Sequence, residues 1–495
     1  MLKSLTTQRL MLVILFIALF TMAVRVPVDT DIWWHLRTGE YILSQRAIPL
    51  NDPFSLTRFG QPWIDHSWGS QIVLYGFYHL FGGNGAIASG GDVGLALYTA
   101  LLATGGMVFI YLMCEGNVFL RALICIITAA AAAVFWSARP QMMSFFLSTV
   151  TLYLVHLYKY RQRDRLWLIP VIMVVWANLH AGFSVGFIFL GGTIVGECVG
   201  RLLDAQNPNV LTWPQIGRLA LFSGLGYVAL VINPNTVQMW TYSFRTVNIT
   251  FLQQYIQEWN SPNFHGRETW PFLMLLFGLL AAAGLASRRM DWTDILLTCG
   301  TAFLSLTAGR NIAVFAVCAA PALSRQAEAV LEEHGLRLGR PIRPRGPLLA
   351  ANWILLLLVI LGAGAKNVLA LTPREIIIAK TLVLPIGAAD YLNQHEENVA
   401  LPMFNSYNWG GYLLFGAPDY RVFVDGRTDL FGDDILFKWL HATQGQDWDK
   451  TFNEFGIRLA VIEHDSPLAG LLRIQTDWKE VYQDKLSSVF RKGGA

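Results

Sequence analysis

The sequence holds 495 residues, 54% of them hydrophobic and only 14% charged, with a mean hydropathy of +0.42. Soluble domains carry about 25% charged residues, so this composition belongs in a membrane. The balance of 37 Lys and Arg against 34 Asp and Glu gives a net charge of +3 and leaves no basic surplus for a phosphate backbone. The five cysteines (Cys114, Cys125, Cys198, Cys299 and Cys318) lie in or beside apolar segments, with no disulfide framework and no Cys/His metal spacing.

A spanning helix needs about 20 mainly apolar residues. Eleven such runs are predicted, at 10–25, 92–114, 117–136, 141–158, 166–180, 183–200, 217–232, 270–287, 292–307, 309–323 and 348–368. The first follows a basic segment without a small-x-small cleavage site, and so reads as a retained anchor. Residues Gln71–Phe81 are too short to span and predict an interfacial helix. With the N-terminus in the cytoplasm, positive charge should gather in the turns on that side. These turns hold Arg121; Lys159, Arg161, Arg163 and Arg165; Arg201 and Arg218; Arg288 and Arg289; and Arg325, Arg337, Arg340, Arg343 and Arg345. An odd number of spans then places the C-terminal residues outside the cytoplasm.

The expected architecture is an α-helical polytopic membrane domain over residues 1–370, with outer loops at 27–70 and 234–269, followed by a small extracytoplasmic α/β domain over 371–495. In that tail the strand-like runs Val399–Phe404, Arg421–Val424 and Leu459–Ile462 alternate with helix-like runs Pro385–His395, Ile435–Ala442 and Trp448–Phe455.

The densest cluster of chemistry-bearing residues is Val28-Asp29-Thr30-Asp31-Ile32-Trp33-Trp34-His35-Leu36-Arg37, directly after the first span. Two carboxylates within three residues at the membrane interface suit a general base, a divalent-cation site such as Mg or Mn, or both; they also suit a polar collar on an aromatic belt. Further along stand Ile48-Pro49-Leu50-Asn51-Asp52-Pro53-Phe54-Ser55 and Trp63-Ile64-Asp65-His66-Ser67-Trp68.

A first span, an acidic motif, a helix-like stretch (Trp33–Leu43) and a second polar motif before the next span resemble the GT-C type of integral-membrane glycosyltransferase. The likeness is strongest to the bacterial branch similar to dolichyl-phosphate-mannose protein mannosyltransferases and lipopolysaccharide sugar transferases. Many of these have an adjacent Asp-Glu pair where this chain has Asp29-x-Asp31, and register against Ile42-Leu43 favours Asp31 as the equivalent carboxylate. The resemblance implies an enzyme that takes sugar from a polyprenyl-phosphate donor and passes it to a glycan, lipid or protein acceptor on the outer face of a bacterial inner membrane.

Arg139 and Arg310, at tight outer turns, are candidates for holding the donor phosphate, or snorkel to the headgroups. Asp65, His66, His180 and Glu258 are candidates for the acceptor side or for supporting positions, against ordinary structural roles. The tail motif Val422–Asp429 reads as a strand ending in an Asp-Gly turn beside Arg427, and Asn405–Gly411 as a carbohydrate-contacting loop or a glycine-rich turn. The tail lacks a nucleophile, base and orienting group together, so acceptor binding or capping is its expected part. Two other classes fit the composition: a transporter of a lipid-linked or small solute, and a non-catalytic subunit of an envelope assembly complex. Ion-coupled transporters keep ionisable residues at mid-membrane; here such residues gather in the outer loops, which favours the enzyme.

Overall fold

The computed structural model describes residues 5–85, 89–336 and 346–493. Every expected span is a helix: α1 (Thr7–Ala23), α4 (Ser89–Met113), α5 (Val118–Ala132), α6 (Gln141–Arg161), α7 (Leu168–Leu179), α8 (Phe183–Leu203), α9 (Trp213–Ala229), α12 (Trp270–Leu285), α13 (Trp292–Thr307), α14 (Ile312–Glu333) and α15 (Pro347–Ala370). Among the described residues, six helical stretches are long and apolar enough to cross a membrane by length and composition alone. Between α1 and α4 the chain forms α2 (Ile32–Gln45), matching the helix-like Trp33–Leu43, and α3 (Trp68–Leu80), matching the interfacial helix expected at Gln71–Phe81; α10 (Met239–Val247) and α11 (Thr250–Tyr255) lie in the second outer loop. The chain is thus an α-helical polytopic membrane protein with a small C-terminal sheet.

Beyond the bundle run α16 (Pro373–Thr381), α17 (Ile386–Gln394), β1 (Met403–Asn405), α18 (Tyr407–Gly416), α19 (Thr428–Thr443), α20 (Trp448–Glu454), β2 (Leu459–Glu463), α21 (Pro467–Ile474), β3 (Trp478–Gln483) and β4 (Ser487–Lys492). The sheet order is β1-β2-β4-β3, with β1 parallel to β2 and the other pairs antiparallel. Two expectations fail here. Arg421–Val424 joins no sheet: the Asn405 side chain accepts the Phe423 N–H (2.6 Å) and donates to the Val424 carbonyl (2.8 Å), while Val422 O takes the N–H of Leu56 in the first loop (2.7 Å). With its backbone groups satisfied in this way, the segment does not need a ladder. Asn405–Gly411 is not a loop either. Its glycines lie in α18, where a Cβ on Gly410 would overlap the Val424 carbonyl and one on Gly411 would press on the Thr30 carbonyl at 3.0 Å.

The turns fall at two ends of the bundle. At one end lie the loops after α1, α5, α7, α9 and α13 and the C-terminal domain; at the other lie the turns predicted to be positive. Of the cations counted there, Arg337, Arg340, Arg343 and Arg345 fall outside the described residues. Lys159 and Arg325 are not surface charges at all. Their side chains are 1% and 5% exposed, Lys159 paired with Glu197 and Asp291 and Arg325 with Asp294 at 2.6 Å. Ionisable groups therefore do enter the bundle, in pairs that close α6, α8, α13 and α14 together at the end away from the polar loops.

The C-terminal segment with its small sheet is locked to the bundle by buried charge. Arg427 is fully buried; it donates to Asp425 and, in the first loop, to Asp52 at 2.6 Å, with its guanidinium carbon 4.7 Å from the Trp63 ring centre. Lys380 on α16 pairs with Asp92 on α4 at 2.6 Å, both buried. Removing one partner of a buried pair leaves an uncompensated charge, at a cost of about 3–5 kcal/mol. Arg427→Met should destabilise the protein by that order, read as a lower melting midpoint of the solubilised chain; an unchanged midpoint would contradict this placement of Arg427.

Candidate active site

The chain leaves α1 at Val24 and turns so that Asp31 becomes the residue preceding α2. Asp29 Oδ1 accepts the Asp31 N–H at 3.0 Å, which fixes the turn. The Asp31 carboxylate caps no backbone group of α2. It faces Arg139 instead, with Arg139 Nη1 3.2 Å from Asp31 Oδ2 and 3.3 Å from Asp29 Oδ2. Arg139 stands in the turn between α5 and α6, where its carbonyl accepts the Tyr98 hydroxyl at 3.2 Å. Burial pushes the Asp31 carboxyl up to about 7: Arg139 pulls against it, while Asp29, Glu258 and Asp425 add to it. Burial also acts against the charged form of Arg139, but the surrounding carboxylates override it and hold the guanidinium firmly protonated. The Asp31 side chain retains 26% exposure, so it can be reached.

The second outer loop closes over this group. Glu258 pairs with Arg310 at 3.5 Å, the Arg310 guanidinium lies 4.3 Å from the Trp259 ring centre, and the Gly309 N–H donates to Asn260 O at 2.9 Å. Arg310, which has few partners in its own segment, finds one in that loop. The charge of Glu258 reaches both Asp31 and Arg139, so the Arg310 turn borders the same site.

His66 and His180 form a neighbouring wall, their ring centres 5.6 Å apart. The Tyr242 hydroxyl donates to Asp429 (2.8 Å) and accepts from His66 Nδ1 (2.9 Å); this assigns the proton to Nδ1 of His66. His180 Nδ1 accepts the Gly182 N–H at 3.1 Å and lies 2.7 Å from Ser144 Oγ, so its proton sits on Nε2. Burial lowers both histidines below the usual range and keeps them neutral. Asp65 is not part of the Arg139 cluster. It is buried behind α2 and α3, accepts from Gln71 Nε2 (2.8 Å) and the Ser67 N–H (3.2 Å), and is pushed up to about 7 by burial.

The tail touches the site directly, through a contact with Asp31 that no local sequence pattern reveals. A Cβ on Gly426 would overlap the Asp31 carboxylate and approach Trp34 Nε1 to 3.0 Å. Tyr407, whose hydroxyl lies 2.6 Å from Thr428 Oγ1, feels the charges of Asp31 and Asp425. The available signal was the Asp425-Gly426-Arg427 motif, whose partner Asp52 lies 375 positions away.

Asp29 and Asp31, the candidate metal ligands, share Arg139 as their cation. Mg or Mn held by one or two carboxylates completes its shell with water and phosphate oxygens; here the Arg139 guanidinium lies against both carboxylates and supplies the positive charge. Among the described residues no group of three or more His, Cys, Asp or Glu side chains could hold a metal ion. Gly426→Ala should displace the Asp31 carboxylate and cost about 1–3 kcal/mol through overpacking. The expected result is a modest fall in the melting midpoint with loss of any reaction that uses Asp31; full activity in this variant would show that the tail does not position that residue.

No protein-family model matches the chain, and neither does any curated protein. Solved structures do. The archaeal oligosaccharyltransferase AglB from Archaeoglobus fulgidus, in complex with an inhibitory peptide and a dolichol-phosphate, superposes with a TM-score of 0.58 at 11% identity, over 92% of this chain and 69% of that one. The Archaeoglobus fulgidus oligosaccharyltransferase tethered to an acceptor peptide gives 0.55 at 12% identity over the same shares. ArnT from Cupriavidus metallidurans bound to undecaprenyl phosphate gives 0.48 at 15% identity, over 97% of this chain and 96% of that one. The chain shares its fold with the archaeal oligosaccharyltransferase.

Proposed function

We propose that the chain is a membrane glycosyltransferase that moves a sugar from a polyprenyl-phosphate donor to an acceptor on the extracytoplasmic side. The observation that carries this reading is the Asp29–Asp31–Arg139 cluster, set at the loop end of a GT-C-type bundle and bordered by a second arginine, Arg310. Support also comes from the dolichol-phosphate that accompanies the archaeal oligosaccharyltransferase of similar fold.

In this reaction the acceptor hydroxyl attacks the anomeric carbon, Asp31 takes its proton, and the bond to the phosphate oxygen breaks. Asp29 holds the turn and shares the charge of Arg139. Arg139 and Arg310 offset the negative charge on the departing lipid phosphate. One base opposite one leaving phosphate makes this a single displacement with inversion. Glu258 keeps Arg310 in place until phosphate competes for it. His66 and His180, neutral and close together, line the acceptor side, while Asp65 fixes the Ser67 turn that follows His66.

The test is to incubate protein purified into lipid with a panel of polyprenyl-phosphate sugars and to measure release of polyprenyl phosphate. Asp31→Asn should lower turnover by about 10²- to 10⁴-fold with little change in donor affinity. Release that is unaffected by Asp31→Asn and Asp29→Asn would remove the carboxylates from the mechanism. Arg310→Ala should weaken donor binding by about 10- to 100-fold, the worth of one hydrogen bond to a charged group.

A base works only when deprotonated, so kcat/KM should be level above the Asp31 value of about 7 and fall tenfold per pH unit below it. A profile flat from pH 5 to 8 would contradict the assignment. For orientation, Arg161, Arg163, Arg201, Arg288 and Arg289 at the far end of the bundle support a cytoplasmic N-terminus and an outer C-terminal domain. Reporter fusions at residues 162 and 480 should report the cytoplasm and the outside, respectively.

A further inference from the structure

Away from the Asp31 cluster, a groove of about 570 Å³ lies between α1, α4 and α15, walled by apolar side chains such as Phe16 and Ile360. Ligand sites commonly enclose roughly 300–1,000 Å³. α15 packs mainly on α1 in the bundle, and this leaves one side of the groove open. Three polar atoms in its wall, Thr21 Oγ1, Thr104 Oγ1 and Asn367 Oδ1, are buried without a hydrogen-bond partner. Unpaired polar groups are costly in an apolar setting, so their presence points to a ligand that pairs with them. Two cations lie beside the Thr21 and Asn367 end of the groove, Arg25 close enough for its charge to act on Lys366. Lys366 Nζ donates to the Thr21 and Val24 carbonyls at 2.6 and 2.5 Å, and Arg25 Nη2 donates to the Ala133 carbonyl at 2.8 Å; among the described residues neither pairs with a carboxylate.

We infer that this groove binds an anionic phospholipid, with an acyl chain between α1, α4 and α15 and the phosphate at Arg25 and Lys366. The polar atoms select the kind of lipid. Threonine hydroxyls donate to the ester carbonyls at the head of an acyl chain, and Asn367 Oδ1 accepts from a headgroup hydroxyl. An isoprenoid tail is pure hydrocarbon below its phosphate and would leave all three unpaired. The site is distinct from the donor-phosphate arginines proposed above and does not depend on the glycosyl-transfer reading. Since Arg25 lies four residues before Asp29, the bound headgroup stands next to the turn that carries the carboxylates.

Native mass spectrometry of the full-length protein, titrated with phosphatidylglycerol, phosphatidylcholine or a polyprenyl phosphate, tests this. Phosphatidylglycerol should be retained about tenfold better than phosphatidylcholine, and Arg25→Gln should erase that difference. Ala363→Trp, which fills the groove, should remove retention of both phospholipids while the melting midpoint holds. Equal retention of the two phospholipids, retention unchanged in both variants, or displacement of phosphatidylglycerol by equimolar polyprenyl phosphate would overturn the inference. Neither variant touches Asp31 or Arg310, so the lipid site and the transfer reaction can fail independently.

Discussion

The arrangement turns on one buried cation. Arg427 sits without solvent contact between Asp425 and Asp52, against the faces of Trp63, Phe54 and Phe431. Burying three charges is tolerable only because almost every lone pair and N–H is engaged: Asp52 also accepts from the Phe54 and Ser55 N–H groups and from the Ser55 hydroxyl. A cluster with such requirements has few alternative geometries, so it fixes the first loop and the C-terminal domain in one register. The next residue back, Gly426, is then pressed onto Asp31. The tail forms part of the site wall, and its soluble-looking composition conceals this.

Two carboxylates in the same loop show how environment divides labour. Burial raises both, but Asp52 has a dedicated arginine and local donors, which together bring its carboxyl below the usual range. Asp31 has only a share of Arg139, with Asp29 in contact and Glu258 and Asp425 within electrostatic reach, and it stays high. The first is a strut, while the second is poised to exchange a proton near neutrality. At the far end of the bundle, Lys159 pairs with Glu197 and Asp291, and Arg325 with Asp294, and these pairs hold helices together. Charge at that end stabilises packing; charge at the loop end is left partly exposed.

The spans, the two short helices between the first two spans and the acidic motif ahead of them were legible because each depends on local pattern: apolar length, helical periodicity, and polar residues next to a membrane boundary. Local pattern is silent where partners are distant in the chain. Arg421–Val424 has the composition of a strand, yet Asn405 and Leu56 take its backbone groups. Glycines 410 and 411 look like a turn, yet they serve close helix packing. Lys159 and Arg325 were counted as loop charges because nothing local reveals that acidic partners on α8 and α13 bury them. Arg139 and Arg310 were found from the cost of leaving an arginine at such a position, and their partners came only with the fold.

The central claim is that a single carboxylate, Asp31, drives one displacement at a sugar carbon opposite a lipid phosphate. The most direct measurement is proton NMR of the product formed from a donor of defined anomeric configuration, recorded before the sugar equilibrates. The account predicts an anomeric linkage opposite to that of the donor. A product with retained configuration would require a second nucleophile and would contradict it.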